Sequence, residues 1–262
     1  MARSSNKEGH EGWDDYAPFY DWEIARTLGR RDVPFWRQLA RQVGGPVLEL
    51  GTGTGRIALP LGRAGIPLVG IDRSESMLDR ARRRVTRTKL GSRVRLLRGD
   101  IRYLPFRRPF RMVMAPYGML QSLLRERDLK ATLAEVHRVL EPGGTFGVEL
   151  VADLPSWKEY RKRVSLKGWR RARGGAHVTL VETVRQDRRR GLTIFDQEFV
   201  ERRGRAVQSR RFSLAFRTLS VPQMARRLEK AGFEITALLG DYRGAAWDAR
   251  ADVWIIVARR VG

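Results

Sequence analysis

Through the first half of the chain, short apolar runs ending at glycine or aspartate alternate with longer amphipathic stretches. Pro46-Val47-Leu48-Glu49-Leu50 is apolar and stops at glycines, which predicts a buried parallel strand. Arg56 to Ala64 reads as a helix and Pro67 to Asp72 as a second strand. Ser74 is a good N-cap for a helix from Glu75 to about Arg87. Val94 to Arg98 predicts a third strand closing at Gly99-Asp100, and Phe110 to Ala115 a fourth. A helix over Asp128 to Leu140 is stopped by Glu141-Pro142-Gly143-Gly144, and Thr145 to Val151 is a fifth strand. Strands and helices exchanging at this spacing call for an α/β fold with a doubly wound parallel sheet.

The rhythm then changes. Residues 175–186, 191–202 and 206–217 predict three antiparallel strands, with turns at Arg190-Gly191 and Arg203-Gly204. They read as a β-meander inserted at about residues 155–218 into a domain spanning 43–262. Ser220-Val221-Pro222-Gln223 fits a capping box, opening a helix that Gly232 closes. Phe233 to Leu239 and Asp252 to Arg259 complete the strands. At the other end, residues 1–12 read as a polar tail. Trp13 to Gln42 has helical character and two aromatic clusters, so that 1–42 forms a separate N-terminal segment.

Composition narrows the chemistry. The 262 residues suit one large α/β domain, or one carrying an inserted subdomain. With 42% hydrophobic and 31% charged residues, a packed core is expected rather than disorder. The absence of cysteine excludes disulfides and a thiol nucleophile, and His10, His137 and His177 are too scattered for a zinc site; no metal is expected. The N-terminus has no apolar stretch of signal-peptide length, and the longest apolar runs, such as Trp254 to Ala258, cannot span a bilayer, so cytoplasmic residence is the simplest expectation and no membrane partner is. The net charge of +23 comes mostly from arginine. It reads as charge spread over solvated helix faces, with an anionic partner as the alternative. Basic residues far outnumber acidic ones in the inserted segment.

The candidate ligand site is Glu49-Leu50-Gly51-Thr52-Gly53-Thr54-Gly55, between a strand and a helix. Glycines are needed where the chain turns sharply and a ligand approaches the backbone. A dinucleotide fingerprint would require glycine where this chain has Arg56. Acids sit at successive strand ends: Glu49 ends the first, Asp72 ends the second, where a carboxylate accepts ribose hydroxyls, and Asp100 ends the third, where one accepts from an adenine amino group. Three acids around one crevice of a basic chain suit a ligand with positive charge.

These segments resemble the class I S-adenosylmethionine-dependent methyltransferases: VLELGTGTGRIALPLGRAG at 47–65, GIDRSESML at 70–78, RGDIRYLPF at 98–106, FRMVMAPYGML at 110–120 and HRVLEPGGTFGVEL at 137–150. The resemblance covers about residues 13–151 and resumes at 220–260. It implies a Rossmann-like sheet of seven strands, the last antiparallel, and S-adenosylmethionine as cofactor, with S-adenosylhomocysteine as product. It also implies that Gly51, Gly53 and Gly55 lie under the cofactor's methionine part, that Asp72 holds the ribose, and that Asp100 and Ile101 flank the adenine. Glu49, Thr52, Arg73, Met77 and Ala115 complete the implied cofactor set.

For the methyl acceptor, the segment Met114-Ala115-Pro116-Tyr117-Gly118 faces the reacting centre in this family and lacks the acid or amide that amino-methylating nucleic-acid enzymes carry there. Tyr16-Ala17-Pro18-Phe19-Tyr20-Asp21 is similar to the N-terminal Tyr-x-x-x-Tyr-Asp of small-molecule N-methyltransferases acting on glycine and amino sugars, in which an aromatic helix lids the site. Aromatic faces suit a sulfonium cation. The inserted meander resembles the substrate-side sheet of the amino-sugar enzymes. The resemblance implies Tyr20 and Tyr117 at the reacting centre and Tyr16 toward the substrate. Gln121 is a further candidate substrate contact, and His177, at the start of the insert, is another, with a surface strand position as its alternative reading. The expected activity is methyl transfer to a small molecule, at an amine nitrogen before an oxygen, by a monomer or homodimer. An RNA methyltransferase tracking phosphates with the arginine-rich meander is the alternative.

Overall fold

The computed structural model describes residues 12–151, 158–170 and 175–262. The expected polar tail and the first residues of the insert therefore lie outside the described residues, residue 12 excepted. Eleven strands and six helices follow in the order α1 (Trp13–Ile24), α2 (Val33–Val43), β1 (Val47–Leu50), α3 (Ala58–Arg63), β2 (Leu68–Asp72), α4 (Glu75–Arg87), β3 (Val94–Arg98), β4 (Phe110–Ala115), α5 (Glu126–Val139), β5 (Leu140–Val151), β6 (Tyr160–Arg170), β7 (Ala176–Asp187), β8 (Leu192–Arg203), β9 (Ala206–Arg217), α6 (Val221–Lys230), β10 (Phe233–Leu239) and β11 (Val253–Arg260) among the described residues. A 3₁₀ turn, Met119–Ser122, follows β4.

Seven strands form one sheet in the order β10-β11-β5-β4-β1-β2-β3. β1 pairs in parallel with both β2 and β4, so the strand order reverses there and a crevice opens at the carboxyl ends. β11 runs antiparallel to β5 and β10. The two-residue alternation of the central strands divides the core. Val47, Met112 and Met114 face α2 and α3, packing with Trp36 and Leu61. Leu48, Leu50 and Val113 face α5 and α6, packing with Leu133 and Met224. Ser74 caps α4 by accepting from the Met77 amide at 3.1 Å, and Ser220 with Gln223 forms the expected capping box on α6.

Two expectations need correction. Glu141 to Gly144 does not separate helix from strand as a free turn. β5 starts at Leu140, opposite Phe110, and these residues form a bulge before regular pairing resumes at Thr145. The insert has four strands, not three, in the order β6-β7-β8-β9. β6 escapes the sequence pattern because most of it is exposed as an edge strand; its residues are not held to alternation by a buried face.

Helix α1 joins the two sheets. Its apolar side carries Tyr16, Phe19 and Trp22 into a cluster with Val178, Leu180, Phe199 and Leu214 of the insert. Phe19 stacks on Phe199 with centroids 4.4 Å apart. Its polar side is pinned to the large sheet's helices. Asp21 accepts from the Thr54 hydroxyl at 2.7 Å and from Arg84 at 2.5 and 3.0 Å, while Asp14 accepts from the Ser74 hydroxyl and the Ser76 amide. Arg80 and Arg84 of α4 therefore face Asp21 rather than open solvent, and Arg82 meets Glu75 and Asp79. A second tie runs from Glu126 at the start of α5 to Arg217 of β9 and Arg227 of α6, at 2.7 and 3.0 Å.

Truncating Phe199, which touches Tyr16, Phe19 and Trp22 at once, should cost ~3–5 kcal/mol of stability. Phe199→Ala should also speed amide exchange in α1 ahead of the central strands, and urea melts with hydrogen-exchange mass spectrometry would show both effects.

Candidate active site

A cleft enclosing about 1150 Å³ of empty space, open mouth included, lies at the carboxyl ends of β1 to β4. Its floor is the glycine turn. Gly51 has φ of 65°, and a side chain there would strike Met119 at 2.5 Å, so the turn closes only with glycine. Gly53 has φ of 54°, a Cβ there would meet only the Gly51 carbonyl, at 3.9 Å, and its amide donates to Asp72 Oδ2 at 2.7 Å. Asp72 Oδ1 accepts from the Ser74 amide at 2.9 Å. Burial raises the Asp72 pKa, opposed by these backbone donors.

Glu49 is buried beneath the turn, where its carboxylate accepts from the Thr52 hydroxyl at 2.7 Å. Burial pushes its pKa up to about 8, against the pull of that hydroxyl and of Arg56. At the far end, Asp100 is bound by Arg102 at 2.7 Å and faces Arg73 at 3.4 Å. Burial works to raise its pKa, but the Arg102 hydrogen bonds and charge outweigh it and the net shift is downward.

Opposite the acids stands an aromatic wall. Trp13 and Tyr20 come from α1, Tyr117 from the loop after β4, and Phe216 from β9. Trp13 meets Phe216 edge to face at 6.4 Å, so helix and insert share this wall. Tyr117 holds φ of 50°, a left-handed conformation unusual for a side chain of this size. It is kept there by its amide donating to Glu149 at 2.9 Å and by the next amide, of Gly118, donating to the Glu149 carbonyl. Arg56 packs over the Tyr117 ring at 5.7 Å and pairs with the fully buried Asp32 at 2.5 Å. Burial raises the pKa of both Tyr20 and Tyr117; for Tyr20 the Arg56 guanidinium opposes the shift.

The structure thus brings together Tyr20, Glu49, Gly51, Thr52, Gly53, Asp72, Arg73, Met77, Asp100, Ile101 and Tyr117 in one cleft. Five expected residues stand outside its lining. Gly55 turns the chain beneath Leu59 and Ala81, and Ala115 is packed in the core. Tyr16 is buried against Phe199 and Phe212 and gives its hydroxyl to Glu23 at 2.6 Å. Gln121 is buried as a brace: its side chain accepts from the Val151 amide at 2.7 Å and donates to the Val151 and Arg217 carbonyls. His177 is exposed on β7, paired across the insert with Trp169 and Arg202, because the strand's alternation turns it away from the side packed on α1. Residues missed include Arg56, Arg102, Met119 and Phe216. Arg56 directly follows the glycine turn, which is a usable signal. Phe216 reaches the cleft from an element far along the chain and carried none.

Residues 47–144 match the family described as a methyltransferase domain. The fold is that of the class I methyltransferases. A chain of the CcbJ methyltransferase from Streptomyces caelestis superposes with a TM-score of 0.74 at 23% identity, covering 88% of this chain and 90% of that one. The sugar N-methyltransferase KedS8 from a Streptoalloteichus species gives a TM-score of 0.75 at 15% identity, covering 93% of each. In sequence, the demethylmenaquinone methyltransferase of Lactobacillus johnsonii is 29% identical over 150 residues, 54% of this chain and 60% of that enzyme. The chain thus spans less than two thirds of this relative's length. No helix of the described residues is long and apolar enough to cross a membrane, and among them no three potential ligand side chains converge on a metal site.

Glu49 makes the methyltransferase fold's stability pH-dependent. Its native pKa lies near 8, above the ordinary carboxylate value. The native state therefore holds a proton that the unfolded chain releases, and stability falls as pH rises from about 4.5 to about 8. Glu49→Gln should flatten this slope and raise stability by ~5 kcal/mol at pH 9 while changing little at pH 4. Urea melts at the two pH values would test this.

Proposed function

We propose that this chain transfers a methyl group from S-adenosylmethionine to a small-molecule acceptor, with an amine nitrogen as the expected target. One observation carries the reading: at the strand-order reversal, the Asp72 carboxylate is bound to the glycine turn and still lines the cleft. The cleft fits the cofactor. Asp72 keeps acceptor capacity beyond its two backbone donors and would hold the ribose hydroxyls. The lack of a side chain at Gly53 leaves room for the methionine part, and Ile101 with Met77 offers apolar faces beside the adenine position. Asp100, tied up by Arg102, would take an adenine amino group only on its remaining lone pairs. When bound, the cofactor supplies an electrophilic methyl on a cationic sulfur. Trp13, Tyr20, Tyr117 and Phe216 would surround that cation with ring faces and edges and exclude water. Alignment of nucleophile and methyl in such a site supplies most of the rate.

The small-molecule reading draws support from the enclosed aromatic wall and from the likeness in fold to a sugar N-methyltransferase. The menaquinone relative matches over 54% of this chain. The RNA alternative draws on the arginines of the insert, yet these divide. Arg188, Arg189 and Arg190 lie at the β7–β8 turn, whereas Arg203 and Arg205 lie at the β8–β9 turn, at the opposite end of a 12-residue strand. A strand of that length separates them by ~40 Å, and of the strand arginines between them Arg185 is paired with Asp196 and Arg211 with Glu198.

Calorimetric titration of S-adenosylhomocysteine tests the cofactor assignment. Wild type should bind in the micromolar range, and Asp72→Ala should weaken binding ten- to a hundredfold, about 1.5–3 kcal/mol. Asp72→Asn, which keeps one acceptor for the Gly53 amide, should fall between. Unchanged binding in Asp72→Ala would remove the assignment.

A further inference from the structure

Behind the aromatic wall, α1 and the insert enclose a polar cluster that the cofactor does not use. Tyr16, Tyr20 and Glu23 fall at i, i+4 and i+7 and so share one face of α1. Tyr20 lines the cleft and Glu23 retains partial exposure. From the insert, the Gln197 amide nitrogen donates to Glu23 at 3.2 Å and to Glu182 at 2.9 Å, and Tyr160 donates to the other Glu182 oxygen. One amide nitrogen therefore bridges two carboxylates. The bridge fixes the amide's orientation, since a flipped Gln197 would set oxygen against both acids. Its oxygen is buried and has no partner among the described residues.

The cluster is short of positive charge. Glu23 and Glu182 make no ion pair with an arginine or lysine among the described residues, in a chain that has 52 of these. Two neighbouring carboxylates and an orphaned amide oxygen are costly as pure architecture, because apolar side chains would pack there without desolvation cost. Each carboxylate oxygen accepts from one neutral donor and keeps a lone pair, while no cation among the described residues faces either acid. With the orphaned amide oxygen this suits an ammonium group, which carries one charge and up to three N–H donors.

We propose that Glu23, with Glu182 and the Gln197 amide oxygen, binds the acceptor's ammonium group and takes the proton it sheds before the nitrogen attacks. This rests on the reading that the chain methylates an amine. In the step, the N–H bond breaks and its proton passes to a Glu23 carboxylate oxygen. The freed lone pair forms the N–CH₃ bond as the C–S bond of the sulfonium donor breaks, its electron pair remaining on sulfur. Burial, reinforced by Glu182, holds the Glu23 pKa at about 7, against the Tyr16 hydroxyl and Gln197 amide that favour the anion. A base so placed is half available at neutral pH. The groups facing it are Tyr16 and Tyr20 on its own helix, Tyr117 beyond β4, Glu182 on β7 with Tyr160 of β6 behind it, and the neutral Gln197 on β8.

The test uses cyclohexylamine as the probe amine and cyclohexanol as its neutral counterpart, each titrated into the S-adenosylhomocysteine-saturated protein at pH 7.5. Cyclohexylammonium should bind wild type and bind E23Q at least tenfold more weakly, with E182Q also weakened. Cyclohexanol should not distinguish the proteins. E23Q should bind S-adenosylhomocysteine as wild type does and melt at a higher temperature above pH 7, having lost an unpaired buried charge. Methyl transfer from S-adenosylmethionine to cyclohexylamine should show a rising kcat/KM limb near pH 7 that E23Q lacks. Equal affinity of cyclohexylammonium for wild type and E23Q overturns the assignment, and so does its failure to bind wild type. Failure of S-adenosylhomocysteine itself to bind overturns instead the methyltransferase reading beneath it.

Discussion

The Asp21 carboxylate, shared between the Thr54 hydroxyl and the Arg84 guanidinium, is the interaction on which the shape of the cleft depends. It ties α1 to the glycine turn and to α4 in one contact. The turn itself follows from backbone geometry, but nothing in the sheet requires an aromatic wall above it. That wall exists because α1 is held by charge on one side and by Phe19, Tyr16 and Trp22 against the insert on the other. The two attachments differ in kind. The apolar one supplies most of the stabilising burial. The ionic one, half-exposed, contributes less energy but sets where along α4 the helix sits.

This arrangement places the chain's charge with some economy. A strongly basic protein keeps acids at Glu49, Asp72 and Asp100 around the crevice, and arginines at its edges neutralise some acids and leave others free. Asp100 is claimed by Arg102, and Asp32 by Arg56. Among the described residues Asp72 is claimed only by backbone amides, which orient a carboxylate without cancelling its charge. A cationic ligand is then drawn toward β2 and the glycine turn rather than spread along the cleft.

The insert does more than decorate the sheet. Its strand β9 delivers Phe216 to the aromatic wall and Arg217 to Glu126, so the same strand shapes the cleft and locks the insert to α5. Its strands β7 and β8 deliver Glu182 and Gln197 to the back of α1. On the proposed reading the methyl donor's surroundings would come from the large sheet and those of the acceptor from the junction of helix and insert. The family match, over residues 47–144, lies within the large sheet.

The sequence by itself determined the alternation of strands and helices, the glycine turn, the acids at three strand ends and the caps at Ser74 and Ser220. Each of these is local: it depends on the period of apolar positions, on glycine's access to positive φ, or on a side chain bonding an amide a few residues away. The aromatic helix was legible too, as a cluster. Which of its residues face the cleft was not, because Tyr16 and Tyr20 lie one turn apart and only packing against Phe199 and Phe212 turns Tyr16 inward. The settings of Gln121 and His177 were not legible for the same reason. A brace between Val151 and Arg217, and an outward-facing position on β7, follow from which strands meet. The tertiary structure alone decided Arg56 with Asp32, Phe216 in the wall, and Glu23 beside Glu182 and Gln197. Arg56 lies 24 positions from Asp32 and Glu23 lies 174 from Gln197, and no local periodicity encodes contacts across such separations.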